Sequence, residues 1–358
     1  MPSSTVAPLP DYVRRASVSL TGLFVLAVFY TLHLGRVFFL PIVVAVLLDF
    51  LLGPAVREMK RARIPEPAGA AFILVVLLVS LGIAGYYLAA PTQQWLSELP
   101  ASLRQAETKL RIIRQPMQHL TRTAEQVERA TDVSAGASRT PEVKVRGPGI
   151  AERLFGTTEA VAAGALEVIV LLYFLLSSGE RLLQKLARLF PYREDREHAV
   201  AIAREAETSV SRYLLTQTLI NIGEGAVVTA VMALIGVPNP WLWGACTALV
   251  EYVPYVGATA LAIVLALVGL TTFDSPGQAA LVPGSFLLIV GLVANFVTPH
   301  VLGRNLQLNP LAVFVGLVFW SWIWGVPGTF IAVPLLATFR IVCDRVEPLQ
   351  RIGQLLKR

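Results

Sequence analysis

The sequence predicts an all-α membrane protein with about eight transmembrane helices and two broken, re-entrant hairpins in its C-terminal half. Composition is the first observation: 55% of the 358 residues are apolar and only 15% are charged, whereas soluble domains carry about 25% charged residues. The second is a series of apolar runs of about 20 residues, the length that crosses a hydrocarbon core. The third is an interrupted apolar pattern that occurs twice near the C-terminus.

The same composition argues against a soluble enzyme and against a disordered chain. Cys246 and Cys343 both lie in apolar stretches, so they indicate neither a disulfide framework nor a metal site. The net charge of +6 is attributed to basic cytoplasmic loops. Nucleic-acid binding is not expected, because the basic residues alternate with acidic ones.

Four apolar runs in the N-terminal half predict membrane-spanning helices, over 16–35, 37–56, 68–90 and 160–179, of which the second is interrupted by Asp49 and the fourth by Glu167. The first is interpreted as a transmembrane helix, since it is too long for a signal peptide and no clean cleavage site follows it. Residues 1–90 are therefore expected to form a three-helix membrane region, and residues 158–176 a fourth transmembrane helix.

Basic loops predict the orientation. Arginine and lysine are frequent in 54–67, in the amphipathic helical segment 177–212 and in the tail 344–358, which places these segments and both termini in the cytoplasm. Residues 91–157 then lie outside, because long loops translocate largely regardless of their charge.

The external segment carries a heptad pattern of apolar residues over 96–131, which predicts a helix. Pro100 and Pro116 are expected to kink or divide it. The helix either packs on a neighbouring subunit or lies on its own membrane domain, and the pattern alone does not decide between them.

The C-terminal core, 213–343, contains two interrupted apolar segments, 241–272 and 311–340. Each follows an Asn-Pro pair, and the two pairs are 70 residues apart (239 and 309). The first arms are too short to cross a membrane at 1.5 Å per residue, and a Gly- and Pro-containing break follows each. Paired interruptions point to a transporter site at the breaks, and an inverted repeat would explain them. Two ordinary kinked helix pairs are the alternative.

Few charges lie within the predicted spans. Glu224 shares a helix face with Gln217 and Asn221 at i, i+4 and i+7, and an acidic group at mid-membrane costs about 2.5–3.5 kcal/mol, so it needs a partner or a role. That role is either proton exchange or a hydrogen bond to a neighbouring helix. Glu251, three residues before Pro254, is a candidate to bind a cation or a proton.

Three further polar residues are weighed with these. Asn295 lies on the helix that is expected to cross back through the membrane after the first interrupted segment, and it is a candidate for the same binding role as Glu251. Asp49 is expected to pair with Arg57 or another base of the following loop, and Arg304 is kept with it as a structural or coupling charge. No phosphate loop, C-x-x-C or H-E-x-x-H motif occurs, so neither an ATP-driven pump nor an enzyme is indicated. No catalytic residue, cofactor or metal is expected.

An ordered series of short motifs resembles the AI-2E family of bacterial transporters over about residues 15–345. The motifs are Leu40-Pro41, Leu52-Gly53-Pro54, Ile64-Pro65, Tyr213-Leu214-Leu215-Thr216-Gln217, Gly236-Val237-Pro238, Val253-Pro254-Tyr255-Val256-Gly257, Asn295-x-x-x-Pro299-x-x-x-Gly303, Leu308-Asn309-Pro310 and Gly325-x-x-Gly328-x-x-x-Ala332-Val333-Pro334. The sequence departs from the family pattern at Thr216, Ala258 and Asn309, and Glu224 falls in no family motif.

The resemblance implies an oligomeric protein of the bacterial inner membrane, with activities that include export of autoinducer-2 and exchange of sodium or lithium for protons. We therefore expect a secondary transporter that exports a small polar solute, such as the autoinducer-2 signal. A Na⁺(Li⁺)/H⁺ antiporter, with Glu224 or Glu251 carrying the proton, and a non-transporting scaffold that binds partners through 96–131 are the alternatives. The expected substrate and ion pathway comprises Gln217, Asn221, Glu224, Glu251, Pro254, Tyr255, Gly257, Asn295, Pro299, Gly303, Pro310, Pro327 and Gly328.

Overall fold

The computed structural model describes residues 11–128, 158–189, 191–302, 308–346 and 349–356. Over these ranges the protein consists of helices and short connections, without a β-strand, which confirms the all-α prediction. The helices are α1 (Asp11–Leu34), α2 (Arg36–Arg61), α3 (Glu66–Glu128), α4 (Thr158–Ser178), α5 (Glu180–Ala187), α6 (Arg193–Ile235), α7 (Pro240–Val250), α8 (Val256–Thr272), α9 (Pro276–Leu292), α10 (Thr298–Leu302), α11 (Pro310–Arg345) and α12 (Gln350–Leu356). A π-helical turn, Val293–Val297, joins α9 to α10.

Five helical stretches in the described ranges are long and apolar enough to cross a membrane: Arg36–Arg61, Glu66–Arg104, Arg193–Ile235, Pro276–Val301 and Pro310–Arg345. Four shorter apolar helices accompany them: Ser19–Leu34, Ala162–Ser178, Pro240–Val250 and Val256–Thr272. The multi-pass membrane class follows from these lengths and compositions.

Helix α3 continues far beyond the length of a membrane span. Its 63 residues correspond to about 95 Å of helix, against about 30 Å of hydrocarbon core. The alternative that Pro100 or Pro116 divides this helix is wrong, because α3 runs through both. Each proline removes one backbone hydrogen bond, which can bend a helix without ending it.

The chain folds as two compact units, and the division falls within α3 and α6. The first unit holds α1, α2, the start of α3, α4, α5, the start of α6, α11 and α12. Its buried contacts join α2, α6 and α11 through Leu47, Val210, Leu214 and Ala337. The second unit holds the remainder of α3 and α6 together with α7 to α10.

The core of the second unit is formed by the end of α6 with α7, α8 and α9. Its most enclosed side chains, with 0% exposure, are Val228, Met232, Leu265, Val282 and Phe286.

The part of α3 beyond Leu74 packs within this second unit. The Trp95 ring meets the Trp243 ring edge to face, with centroids 5.7 Å apart. Further along, Lys109 Nζ donates to Phe273 O at 3.0 Å and forms an ion pair with Asp274 at 3.2 Å. These contacts favour the interpretation that this part of the heptad segment lies on its own domain, although Leu103 stays 51% exposed.

A hairpin is formed by α7 and α8. Helix α7 ends at Val250, residues 251–255 are non-helical, and Tyr255 has a positive φ of 64°. The two arms pack together, since Trp243 and Leu265 belong to the same buried cluster. We refer to residues 240–272 as the first hairpin.

Helix α11 is also bent into a hairpin, with the bend at Gly325. This residue has φ 66° and ψ −146°, a conformation that essentially only glycine adopts. The two arms pack closely, because a Cβ on Gly316 would lie 2.3 Å from a Leu336 methyl. Asn309 N donates to Leu356 O at 3.0 Å, so the start of α11 meets α12, the helix that follows its end. We refer to residues 310–345 as the second hairpin.

In both hairpins, a glycine after the bend allows close contact between the two arms. A Cβ on Gly257 would lie 2.1 Å from Val250 O, and a Cβ on Gly328 would lie 2.1 Å from Trp320 O. In each, a glycine lets the second arm pass close to a carbonyl of the first. The recurrence supports an internal repeat, while its inverted orientation stays a prediction.

We expect Gly328→Ala to lower the thermal unfolding midpoint in detergent, because its methyl group would meet the Trp320 carbonyl. The cost of such overpacking is about 1–3 kcal/mol. Gly22→Ala, in α1 of the same unit, is the control: no heavy atom lies within 4 Å of its Cβ position. Equal midpoints for the two variants would contradict the close approach at the second bend.

Candidate functional site

The candidate site is a buried polar cluster in the second unit, built first on one face of α6. Gln217 Nε2 donates to Asn221 Oδ1 at 2.7 Å, and Glu224 follows on the same face. Asn221 is 1% exposed and Glu224 is 5% exposed. In the apolar C-terminal half of α6, this burial of an amide and a carboxyl group carries a desolvation cost that must be offset by contacts or by function.

Helix α7 closes over this face because two glycines meet at the crossing. A Cβ on Gly225 would lie 2.5 Å from Gly244 O, and one on Gly244 would lie 2.3 Å from Gly225 O. Small residues allow such backbone contact between membrane helices. The crossing brings Ala248 O to Asn221, whose Nδ2 donates to it at 3.3 Å.

The non-helical residues after α7 add a second carboxyl group. Glu251 is half-buried at the C-cap of α7, and the like charges of Glu251 and Glu224 interact electrostatically. Each residue has one buried carboxyl oxygen, Oε1, with no hydrogen-bond partner among the described residues. Neither side chain is therefore fully engaged in holding the fold.

Two hydroxyl groups join α6 to the same break. Thr218 Oγ1 and Tyr252 Oη are 2.6 Å apart, and Thr247, 0% exposed, donates its hydroxyl proton to Trp243 O at 2.8 Å. Sequence reasoning missed all three residues. No signal in the sequence identifies them, because the contact across 34 residues depends on where α7 crosses α6.

The predicted residues of the first bend lie beside Glu251. Pro254 has no N–H to donate to Val250 O, and Val253 N donates to that oxygen instead at 3.0 Å. Tyr255 is 61% exposed, whereas Gly257 is buried against Val250. The bend is thus satisfied by its own backbone.

The other predicted site residues are distributed differently. Asn295 is exposed and donates to Gly291 O of its own helix at 2.8 Å, within the π-helical turn that precedes Pro299. Gly303 and Arg304 lie outside the described residues. Pro310, Pro327 and Gly328 belong to the second hairpin. The expectation that both hairpins contribute to one site stays a prediction.

Asp49 belongs to a separate charged group in the first unit. Arg57 donates to Glu207 at 2.6 Å, so the ion pair of Arg57 is with α6 and not with Asp49. Asp49 lies within electrostatic reach of both residues. Because the pair is partly exposed, with side-chain exposures of 54% and 28%, its contribution to stability is about 0–1 kcal/mol.

A second ion pair also reaches α6: Arg345, at the end of α11, lies 2.5 Å from Glu205. The α6 carboxylates Glu205 and Glu207 thus connect α6 to α11 and to α2. Arg57 interacts electrostatically with Asp49 while it donates to Glu207, 150 residues away in the sequence, so the predicted pairing of Asp49 with a loop base stays a prediction.

Comparison with known proteins identifies extended similarity. The sequence model of the family described as AI-2E family transporter matches residues 22–347 of this chain. The AI-2 transport protein TqsA of Escherichia coli (strain K12) is 25% identical over 319 residues, which cover 88% of each chain. The putative transport protein YhhT of the same organism is 23% identical over 91% of this chain and 89% of its own length. The putative transport protein MT0215 of Mycobacterium tuberculosis is 27% identical, with coverages of 87% and 84%.

Proposed function

The chain belongs to the AI-2E family of transporters, and we propose that it is a secondary transporter that exports a small polar solute such as autoinducer-2. The observation that carries the proposal is the buried cluster around Glu224 and Glu251, next to the bend of the first hairpin. Interrupted helices at membrane depth are tolerated where they line a cavity or are covered by protein.

The cluster offers the groups that a hydroxyl-rich solute needs. Asn221 supplies an amide, while Thr218 and Tyr252 supply hydroxyl groups. Each can donate or accept a hydrogen bond, so the cluster can replace the water that a furanone with several hydroxyl groups loses. Small local changes around the bend would then open and close access to it.

The two carboxyl groups supply a means of coupling. Glu224 and Glu251 can each take up or release a proton at Oε1 without breaking a hydrogen bond, since this oxygen has no hydrogen-bond partner among the described residues in either side chain. Export of the solute in exchange for an entering proton is therefore the reaction that we assign to the site.

A Na⁺(Li⁺)/H⁺ antiporter is the second candidate, and one observation favours it. Glu251 is the first of the non-helical residues 251–255. Its carboxylate could bind a hard cation there, because carboxylate and carbonyl oxygens are the ligands that such cations prefer. No contact of the described residues favours the scaffold alternative. The relatives with which the chain aligns are named as transport proteins, not enzymes.

We also propose that the protein lies in the bacterial inner membrane with both termini in the cytoplasm, as a homo-oligomer. The basic segments 54–67 and 177–212 support this orientation. The exposed Leu96 and Leu103, seven residues apart on α3, support contact with a second copy. Reporter fusions at each terminus test the orientation, and cross-linking through Leu103→Cys in a cysteine-free background tests the oligomer.

Proton movement in everted vesicles distinguishes the two transport functions. A pH-sensitive dye is followed while sodium, lithium, potassium or autoinducer-2 is added to energised vesicles. Proton movement with autoinducer-2 supports the exporter, and movement with sodium or lithium supports the antiporter. Silence with all four additions, in vesicles shown to be sealed and energised, would contradict proton coupling.

A further inference from the structure

At the bend of the second hairpin, a proline removes one backbone hydrogen-bond donor. In a continuous helix, Ile323 O would accept from the N–H of residue 327, but residue 327 is proline and has no N–H. Ile323 is 0% exposed. A hydrogen-bond donor to a buried carbonyl is stabilising, so a side-chain donor at Ile323 O would strengthen the bend.

Helix α1 supplies this donor. His33 Nδ1 lies 3.1 Å from Ile323 O, and because a carbonyl oxygen can only accept, the His33 ring must donate. The ring also stacks on Trp322, with centroids 5.6 Å apart and planes 15° apart. The donor is thus held in place by an aromatic contact next to the bend.

A second hydrogen bond between the two elements has its donor in the hairpin and its acceptor in α1. Trp324 Nε1 donates to Leu32 O at 3.0 Å, and Leu32 lies in the last turn of α1, where carbonyl groups lack donors within the helix. One turn earlier, Phe29 packs edge to face on Phe319, with centroids 4.9 Å apart. The end of α1 and the bend of the second hairpin therefore satisfy each other's backbone.

The first hairpin shows that this arrangement is not required by every proline break. There Pro254 removes the donor to Val250 O, and the N–H of the preceding residue, Val253, donates to that oxygen instead. The first bend depends on its own backbone, whereas the second takes its donor from a helix 290 residues away in sequence.

We propose that α1 holds the bend of the second hairpin, with His33 as the positioning residue that supplies the donor missing at Pro327. Loss of this donor frees the bend at Gly325 without removing the aromatic contacts. The inference goes beyond the proposed transport function and does not depend on which solute is carried, because it concerns the local stability of the bend.

Amide hydrogen exchange of the purified full-length protein tests this directly. His33→Phe keeps a ring against Trp322 but removes the donor, whereas His33→Asn places an N–H group close to the position of Nδ1 and removes the ring. We expect His33→Phe to speed exchange in peptides covering residues 324–330 by about fivefold, and His33→Asn to stay within about twofold of the wild type.

Thr31→Val is the matched control, because the Thr31 hydroxyl donates only to Ala27 O within α1. It is expected to exchange like the wild type. Wild-type exchange in His33→Phe would overturn the proposal. So would equally fast exchange in His33→Asn and His33→Phe, since stacking and not donation would then hold the bend.

Trp324→Phe keeps the test decisive if His33→Phe does not fold. It removes the donor to Leu32 O, so exchange is expected to rise both in residues 324–330 and at the end of α1. Unchanged exchange at both places in folded Trp324→Phe protein would show that the reciprocal hydrogen bonds do not hold the bend.

Discussion

Replacing Glu224 or Glu251 by glutamine is expected to lower proton-coupled transport by about tenfold or more, a change of at least 1.4 kcal/mol in the barrier. Glutamine has nearly the same shape as glutamate but cannot exchange a proton at neutral pH. The two carboxyl groups interact with each other and lack hydrogen-bond partners for Oε1 among the described side chains. The substitution is therefore expected to remove the proposed proton carrier while leaving the fold in place.

Glu98→Gln is the matched control, since Glu98 is an exposed carboxylate on α3 that accepts from Gln94 at 3.2 Å. Its transport rate is expected to equal that of the wild type. Thermal unfolding and expression of all three variants are measured in parallel. Full proton exchange in both Glu224→Gln and Glu251→Gln would sink the assignment of either carboxyl group as the carrier.

The second large effect is expected at the crossing of α6 and α7. Gly225→Ala places a methyl carbon only 2.5 Å from Gly244 O. Because the obstacle is backbone, it cannot rotate away, and we expect a loss of about 1–3 kcal/mol in unfolding free energy. Transport should fall as well, since the shift moves Ala248 away from Asn221.

Gly223→Ala, two residues earlier on the same helix, provides the comparison. Its Cβ position has no heavy atom within 4 Å, so alanine should leave stability unchanged or raise it by up to about 1 kcal/mol through helix propensity. Thermal midpoints in detergent and transport rates in vesicles are compared for the pair. Equal destabilisation by both alanines would show that helix contact at Gly225 is not the cause.

Periodicity and run length predicted much of the fold. The apolar runs correspond to helices, and the Gly- and Pro-containing breaks coincide with the bends after Val250 and at Gly325. The shared face of Gln217, Asn221 and Glu224 follows from helical spacing alone. Such features depend on neighbours within a few turns, so a single sequence contains them.

Contacts between distant helices could not be predicted in this way. The Thr218–Tyr252 pair depends on the Gly225–Gly244 crossing, and nothing in one glycine indicates which other glycine it meets. The partner of Arg57 was likewise set by packing between α2 and α6. The contact of His33 with Ile323 O is of the same kind, because it depends on how α1 packs against the second hairpin.

Proton release from the purified protein tests the central claim most directly. Wild-type protein in weakly buffered choline solution receives sodium chloride, lithium chloride or autoinducer-2, and the pH of the solution is followed. We expect proton release on binding of the transported species, and loss of that release in the double variant Glu224→Gln/Glu251→Gln. Undiminished release from the double variant would contradict the claim that these two carboxyl groups exchange the proton.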